Sequence, residues 1–304
     1  SKSKRFKRTS YFRQNDVMNM WQIINQLLAV IVILVVAAVS LIGLDYYKLA
    51  HVQHHWCPRL THYEQHRRLF IHGYRGNRYS MGHLLMRLQK TGVAKKALVI
   101  KVAADGTLTF KGPQELTASN PTIQVLFQNN HADVQDQVRW LSQIVAILKK
   151  DYDVTTINLV GHSMGAITVL RYLLKPTAVP VKAVVLLAAP VNDPSIGPDT
   201  ATVFWSELTQ RGPRKKTANY NYLAKRVAHF PTAISILNVA GELLGTSRHD
   251  GSVAVDSSFA LRSLLRGRID RYQEMLVRGA GGAHSMLHEN RLVDQAISDF
   301  LWQD

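Results

Sequence analysis

The sequence predicts an α/β protein: a mostly parallel central sheet flanked by helices, preceded by one N-terminal transmembrane helix. Three observations carry that reading. Short apolar runs rich in Val, Ile and Leu alternate with helical patterns from Arg68 onward, which is how a parallel sheet covered on both faces reads. One long segment repeats its apolar residues every three or four positions. An uncharged apolar stretch, residues 27–44, stands ahead of them all.

The N-terminal elements follow in order. Residues 1–22 form a basic tail that includes Lys2, Lys4, Arg5, Lys7, Arg8 and Arg13. The apolar stretch 27–44 rises roughly 27 Å as a helix, and with residues 21–26 it covers a hydrocarbon core of about 30 Å. We take 23–44 as the span and 45–67 as a juxtamembrane linker. Basic residues precede the span and Asp45 follows it, so the positive-inside rule puts the tail in the cytoplasm and the rest outside. A secreted form is the alternative, with Ala38, Val39 and Ser40 as a loose cleavage site, although the apolar run exceeds an ordinary signal core.

The linker adds little chemistry. Six histidines lie between His51 and His72, but Glu64 and Cys57 are the only other ligand types near them, so the stretch reads as a solvated spacer and no metal is expected. Cys57 is the only cysteine in the chain, which excludes an intrachain disulfide and leaves a free thiol. The net charge of +16, from 37 Lys+Arg against 21 Asp+Glu, biases the protein toward anionic lipid or envelope polymer without naming either. No groove-reading helix or RNP-type aromatic motif accompanies that charge, so nucleic acid is not an expected partner.

The main domain is assigned to 68–304. Its expected strands are LFIH at 69–72, ALVIKV at 97–102, TIQVLF at 122–127, INLVG at 157–161, AVVLLAA at 183–189, AISILNV at 233–239 and YQEMLV at 272–277. Asp105-Gly106 between two extended runs predicts an edge hairpin. Val134, Val138, Leu141, Val145 and Leu148 mark the buried face of a helix over about 132–150, and further helices are expected after Met164, Ser257 and Asn290.

The chemistry concentrates at GHSMG, residues 161–165, which directly follows one expected strand and directly precedes an apolar helix. That context needs a very tight turn exposing the Ser163 hydroxyl, with Gly161 and Gly165 permitting close backbone approach. A serine hydroxyl is a weak nucleophile and needs a histidine base, itself oriented by a carboxylate. Downstream, SRHDGSVAVDSS offers Asp250, in a loop at the carboxyl edge of the sheet, and Asp256, which fits a helix cap; Asp193 after an earlier strand is a further rival. GAHSMLHEN offers His284 and His288, of which His284 follows the flexible Gly279, Gly281 and Gly282. Asp250 and His284 are preferred. Oxyanion donors are expected from the backbone N–H of Met164 and, in HGYRGN after the first strand, that of Tyr74.

Together HGYRGN, GHSMG, HDGSV and AHSMLHEN resemble the alpha/beta hydrolases and, more narrowly, the cell-surface alpha/beta hydrolases of Gram-positive bacteria. His249 stands where that group often has serine before the aspartate. The resemblance implies the alpha/beta hydrolase fold, with Ser163 as nucleophile, Asp250 as acid, His284 as base, Tyr74 and Met164 at the oxyanion hole, and no cofactor. It implies hydrolysis without naming a substrate; our leading reading is an esterase-like serine hydrolase of a small-molecule or lipid ester. Acyl transfer to an envelope acceptor, or a catalytically silent envelope-binding module, are the alternatives. Residues 191–231 interrupt the strands with Phe204, Trp205, Tyr220 and Tyr222 among basic side chains, and read either as a mobile lid walling an apolar acyl pocket or as a solvated structural cap.

Overall fold

A computed structural model describes residues 20–40, 66–112, 116, 119–198, 202–243 and 248–302. The chain divides into two units, residues 1–52 and 53–304. In the first, helix α1 (Met20–Ser40) has 21 residues and is long and apolar enough to be a candidate membrane span. Its apolar side chains, among them Ile33, Leu34 and Val39, are exposed. From Leu27 to Val39 the helix carries no polar side chain, the pattern of a candidate membrane span. Of the expected span, 41–44 lies outside the described residues, as do the histidine-rich stretch 51–65 and Cys57.

The second unit is an eight-stranded sheet with helices on both faces. Its strands are β1 (Arg67–Ile71), β2 (Lys95–Val102), β3 (Leu108–Lys111), β4 (Pro121–Phe127), β5 (Ile157–His162), β6 (Val181–Leu187), β7 (Ser235–Glu242) and β8 (Arg271–Arg278). They lie in the order β8-β7-β6-β5-β1-β4-β2-β3. All neighbours pair parallel except β2 and β3, the expected edge hairpin, whose turn is closed by the Thr107 N–H donating to Asp105 Oδ1 at 2.9 Å.

Helices α2 (Gly82–Lys90), α3 (Val134–Asp151), α4 (Met164–Tyr172), α5 (Ala218–Ala224), α6 (Val255–Phe259) and α7 (Leu261–Leu265) lie in the connections between strands, and α8 (Arg291–Trp302) follows the last strand. Helix α3 starts where Asp133 accepts the Asp136 N–H at 2.8 Å, and its Val138, Leu141, Ile144, Val145 and Leu148 are buried as their spacing requires. Alternation along β1 sends Leu69 and Ile71 into the core under α3 and α4, and Phe70 into the opposite core with residues of α2 and α8. Each such aliphatic side chain contributes about 1.5–3 kcal/mol when fully buried.

Three local expectations change. Helix α2, absent from the expected elements, buries Leu84, Leu85 and Leu88. The helix expected after Ser257 is a pair of short ones that begins earlier, at Val255, with Ala254 in the cap position. Asp256 therefore sits in the first turn of α6, where it pairs with Arg248 at 2.8 Å and accepts the Leu208 N–H at 3.2 Å. The segment expected as a lid is tied down through its described part. Tyr220, Leu223 and Phe230 join the core on the α3 and α4 side, and Asn219 Nδ2 donates to the carbonyls of Pro190 and Val191.

Candidate active site

Ser163 joins β5 to α4 with φ 54° and ψ −123°, a conformation costly for a residue with a side chain. The turn survives because both flanking glycines lie against backbone. A Cβ on Gly161 would meet the Gly165 carbonyl oxygen at 2.7 Å, and one on Gly165 would meet the His72 and Ile71 carbonyl oxygens at 2.5 and 2.7 Å. The turn is also fastened to the sheet, since the Ser163 N–H donates to the Leu187 carbonyl at 2.8 Å.

Ser163, Asp250 and His284 come from the carboxyl ends of β5, β7 and β8 and meet at hydrogen-bond distance. His284 Nε2 is 2.9 Å from Ser163 Oγ, and His284 Nδ1 is 2.8 Å from Asp250 Oδ2. The other Asp250 oxygen accepts the Ser252 and Val253 N–H groups at 2.8 and 2.7 Å. The Asp250 carbonyl in turn takes the His284 N–H at 2.8 Å, so carboxylate and imidazole are held by main chain as well as by each other. Asp250 is 2% exposed, which keeps competing water from its outer oxygen.

The glycines before His284 act differently from expectation. A Cβ on Gly241 would lie 2.0 Å from the Gly282 carbonyl oxygen, and one on Gly282 would lie 2.3 Å from the Val277 carbonyl oxygen. Gly282 is thus a close-contact residue that lets the histidine turn press on the end of β7, rather than a source of flexibility. The turn is pinned beyond its histidine too. Asn290 Nδ2 donates to the Gly281 carbonyl at 3.1 Å, while Arg87 of α2 pairs with Glu289 at 2.8 Å and donates to the His288 carbonyl at 2.7 Å.

The rivals lie elsewhere. His288 contacts Glu289 at 3.3 Å and packs edge-on against the His162 ring. Asp193 makes no hydrogen bond to His284; its Oδ2 accepts the Ser257 hydroxyl at 3.1 Å. It nevertheless lines the same cleft as Ser163, and burial, reinforced by nearby Asp250, pushes its pKa up to about 6.

The loop after β1 closes the other side. A Cβ on Gly73 would lie 2.9 Å from the Ser163 Cβ, so this loop rests directly on the serine. His72 locks it: Nδ1–H donates to the Gly73 carbonyl at 2.8 Å and Nε2 accepts the Phe127 N–H at 3.1 Å. That pattern is a neutral imidazole, and burial holds its pKa down accordingly. The backbone N–H groups of Tyr74 and Met164, the two expected oxyanion donors, make no loop or turn hydrogen bond to backbone among the described residues.

One contributor is missing from the sequence expectations. His162, inside GHSMG, is buried beneath His284; its Nε2 hydrogen-bonds the His284 carbonyl at 3.0 Å and the two rings lie 4.8 Å apart. Burial, with the His284 and His288 rings beside it, holds its pKa well below the ordinary value. The motif's variable position carried the only signal.

The cleft at Ser163 has a volume of about 300 Å³ and is lined by small and polar groups, including Asp193, Ser195, Gly197 and Ser252. The aromatic wall expected from the 191–231 segment is not part of this lining: Tyr220 is in the core, and Tyr222 lies between the guanidinium groups of Arg171 and Arg226.

Comparison with known proteins agrees with the architecture. The family model described as alpha/beta hydrolase of unknown function (DUF915) matches residues 59–304. A solved gene product of Listeria innocua is 27% identical with a TM-score of 0.71, over 79% of this chain and 95% of that one. A Lactobacillus plantarum protein described as a cell surface hydrolase is 22% identical with a TM-score of 0.64, over 79% and 92%. No protein of curated function matches.

Proposed function

The chain belongs to the family of alpha/beta hydrolases of unknown function, and on that premise we propose that it is a serine hydrolase of carboxylic esters with Ser163 as nucleophile, His284 as base and Asp250 as the orienting acid. The single observation that carries this reading is the unbroken hydrogen-bond chain from Ser163 Oγ through the His284 imidazole to Asp250. Among the described residues, nothing else joins a strained, half-buried serine in a cleft to a base and a buried carboxylate.

Ser163 Oγ attacks the ester carbonyl carbon while His284 Nε2 takes its proton. The Asp250 carboxylate accepts the Nδ1–H, fixes the tautomer and balances the imidazolium as it forms. The Tyr74 and Met164 N–H groups receive the developing oxyanion, a contribution commonly worth about 3–4 kcal/mol per donor. Collapse of the tetrahedral intermediate breaks the carbon–oxygen bond, and the leaving alkoxide takes the proton from His284. Water then attacks the acyl-enzyme with His284 again as base, which frees the acid and restores the Ser163 hydroxyl.

The domain 68–304 works outside the cell on this reading, held to the membrane by α1 as a single-pass anchor with the basic tail 1–22 on the cytoplasmic side and 45–67 as linker. The unbroken apolar run of α1 from Leu27 to Val39 and the basic residues before the helix support the placement. A net charge of +16 favours work beside anionic lipid or envelope polymer.

The test is covalent labelling by a fluorophosphonate probe, comparing the parent with Ser163→Ala. Labelling of the parent that vanishes in the variant, together with turnover of simple esters, is the expected result. A folded parent that neither labels nor cleaves any ester overturns the reading.

A further inference from the structure

Asp193 is a buried carboxylate without a counter-ion. It is 6% exposed, it receives a single hydrogen bond from the Ser257 hydroxyl, and no Lys, Arg or His pairs with it among the described residues. Buried carboxylates are ordinarily paired, because desolvation of an isolated charge is expensive. The pairing is absent here in a chain that carries sixteen more positive than negative side chains. Asp193 also faces the cleft that holds the Ser163 hydroxyl, and among the described residues no Lys or Arg lines that cleft. The site is thus locally acidic within a basic protein.

We infer that Asp193 is a specificity-determining residue that binds an ammonium group on the substrate, so that the preferred substrates are small esters carrying a primary amine. The inference rests on the reading of Ser163 as the nucleophile and names the substrate class for that site. A primary ammonium has three N–H donors and no acceptor. The Asp193 carboxylate supplies its counter-charge, and the hydroxyls of Ser195 and Ser252, which line the same cleft, are acceptors of the right kind for the remaining protons. The small, polar lining and the volume of about 300 Å³ suit a compact polar group, whereas a long acyl chain would find few apolar walls. Burial lifts the Asp193 pKa to about 6, so the group is ionised at neutral pH and an incoming cation would offset the cost of keeping it so.

A different use of the same carboxylate is to stabilise the imidazolium of His284 from a distance. That role would affect every ester alike, which makes the two separable. The experiment uses the full chain and two matched pairs of short esters, in which a primary ammonium replaces a terminal methyl in the acyl part of one pair and in the alcohol part of the other. We expect kcat/KM to favour the ammonium member of at least one pair. Asp193→Asn, which keeps an acceptor for Ser257, should lower that preference about tenfold or more, mainly through KM of the ammonium ester. Asp193→Glu should retain part of the preference because the charge remains. Preference for the neutral member in both pairs overturns the inference, as does a preference ratio unmoved by Asp193→Asn while both rates fall. Labelling of Ser163 by a fluorophosphonate without turnover of either pair overturns it too and leaves the nucleophile standing. A folded parent with neither labelling nor turnover removes the underlying reading instead.

Discussion

The imidazole of His162 lies beneath that of His284, ring centres 4.8 Å apart and planes tilted by 50°, with His162 Nε2 hydrogen-bonded to the His284 carbonyl at 3.0 Å. On the proposed mechanism His284 becomes positively charged during each turnover, and it sits on a neighbour that stays neutral. Burial and the adjoining rings of His284 and His288 hold His162 well below its ordinary 6.5. In the unfolded chain His162 takes up a proton below that value, and in the folded chain it does not. Its contribution to stability is thus fully present above pH 6.5 and is lost as the pH falls toward the depressed value. His72 and His288 shift in the same direction. Asp193, held at about 6, opposes them by favouring the fold as the pH drops from 6 toward 3.8. Thermal melting at about pH 7.5 and about pH 5.5 isolates one contribution: the loss of Tm on acidification should be smaller in His162→Gln than in the parent. An equal loss in both proteins would show that His162 is not the group that titrates.

Replacing Asp250 by Asn separates orientation from fold. The Asn side-chain oxygen can still accept from the Ser252 and Val253 N–H groups, so the loop keeps its anchors. The group facing His284 Nδ1 becomes uncharged, and if it presents its NH2 it enforces the wrong tautomer. On the proposed mechanism kcat falls about 10³–10⁴-fold while the melting temperature changes little. Ester-hydrolysis kinetics beside a thermal melt checks both halves. A loss of less than about tenfold would point to another acid.

The candidate membrane span α1 has its own test. Lysines at positions 31 and 35 of α1 would each add roughly 2.5–3.5 kcal/mol to the cost of insertion near the middle of the bilayer. The double variant Ile31→Lys with Val35→Lys should therefore leave the membrane fraction on cell fractionation, where the parent is retained. Equal retention of both would mean that another part of the chain holds the membrane.

Much of this architecture was legible in the order of residues. Strands buried on both faces read as largely aliphatic runs: β6 is unbroken from Ala183 to Leu187, while β4 and β5 bury Gln124 and Asn158 among their aliphatic residues. The order Ser163, Asp250, His284 could be matched to strand ends in chain order, after β5, β7 and β8, because loops at the carboxyl edge of a parallel sheet converge. Helix α2 escaped because it is nine residues long and has no side-chain cap to announce its start. Gly282 was read as flexible because a sequence shows that a residue lacks a Cβ but not what lies where the Cβ would be. The aromatics of 191–231 carried no label for direction: Tyr220 turns into the core and Trp205 to solvent. The places of Asp193 and His162 depend on loops distant in sequence meeting in space, and no local pattern encodes that.

The tight contacts at the serine turn give the sharpest steric prediction. Gly161 and Gly165 have negative φ, so the left-handed region is not what demands glycine at either position; the demand is space, since an added Cβ at each meets backbone atoms below 3.0 Å. Backbone on both sides cannot yield as a side chain would. Gly165→Ala must push α4 away from the His72 and Ile71 carbonyls, moving the Met164 N–H relative to the Tyr74 loop. It should cost about 1–3 kcal/mol in stability, as overpacking does, and a disproportionate share of activity. Gly92→Ala is the contrasting control, because its φ of +75° brings backbone strain but nothing lies within 4 Å of the added methyl. That variant should lose about 1–2 kcal/mol with kcat retained. Denaturant melts paired with ester-hydrolysis rates decide the matter. If the two alanine variants lose activity only in proportion to stability, the close approach at Gly165 serves packing alone; a collapse of kcat confined to Gly165→Ala places the geometry of the turn in the chemistry.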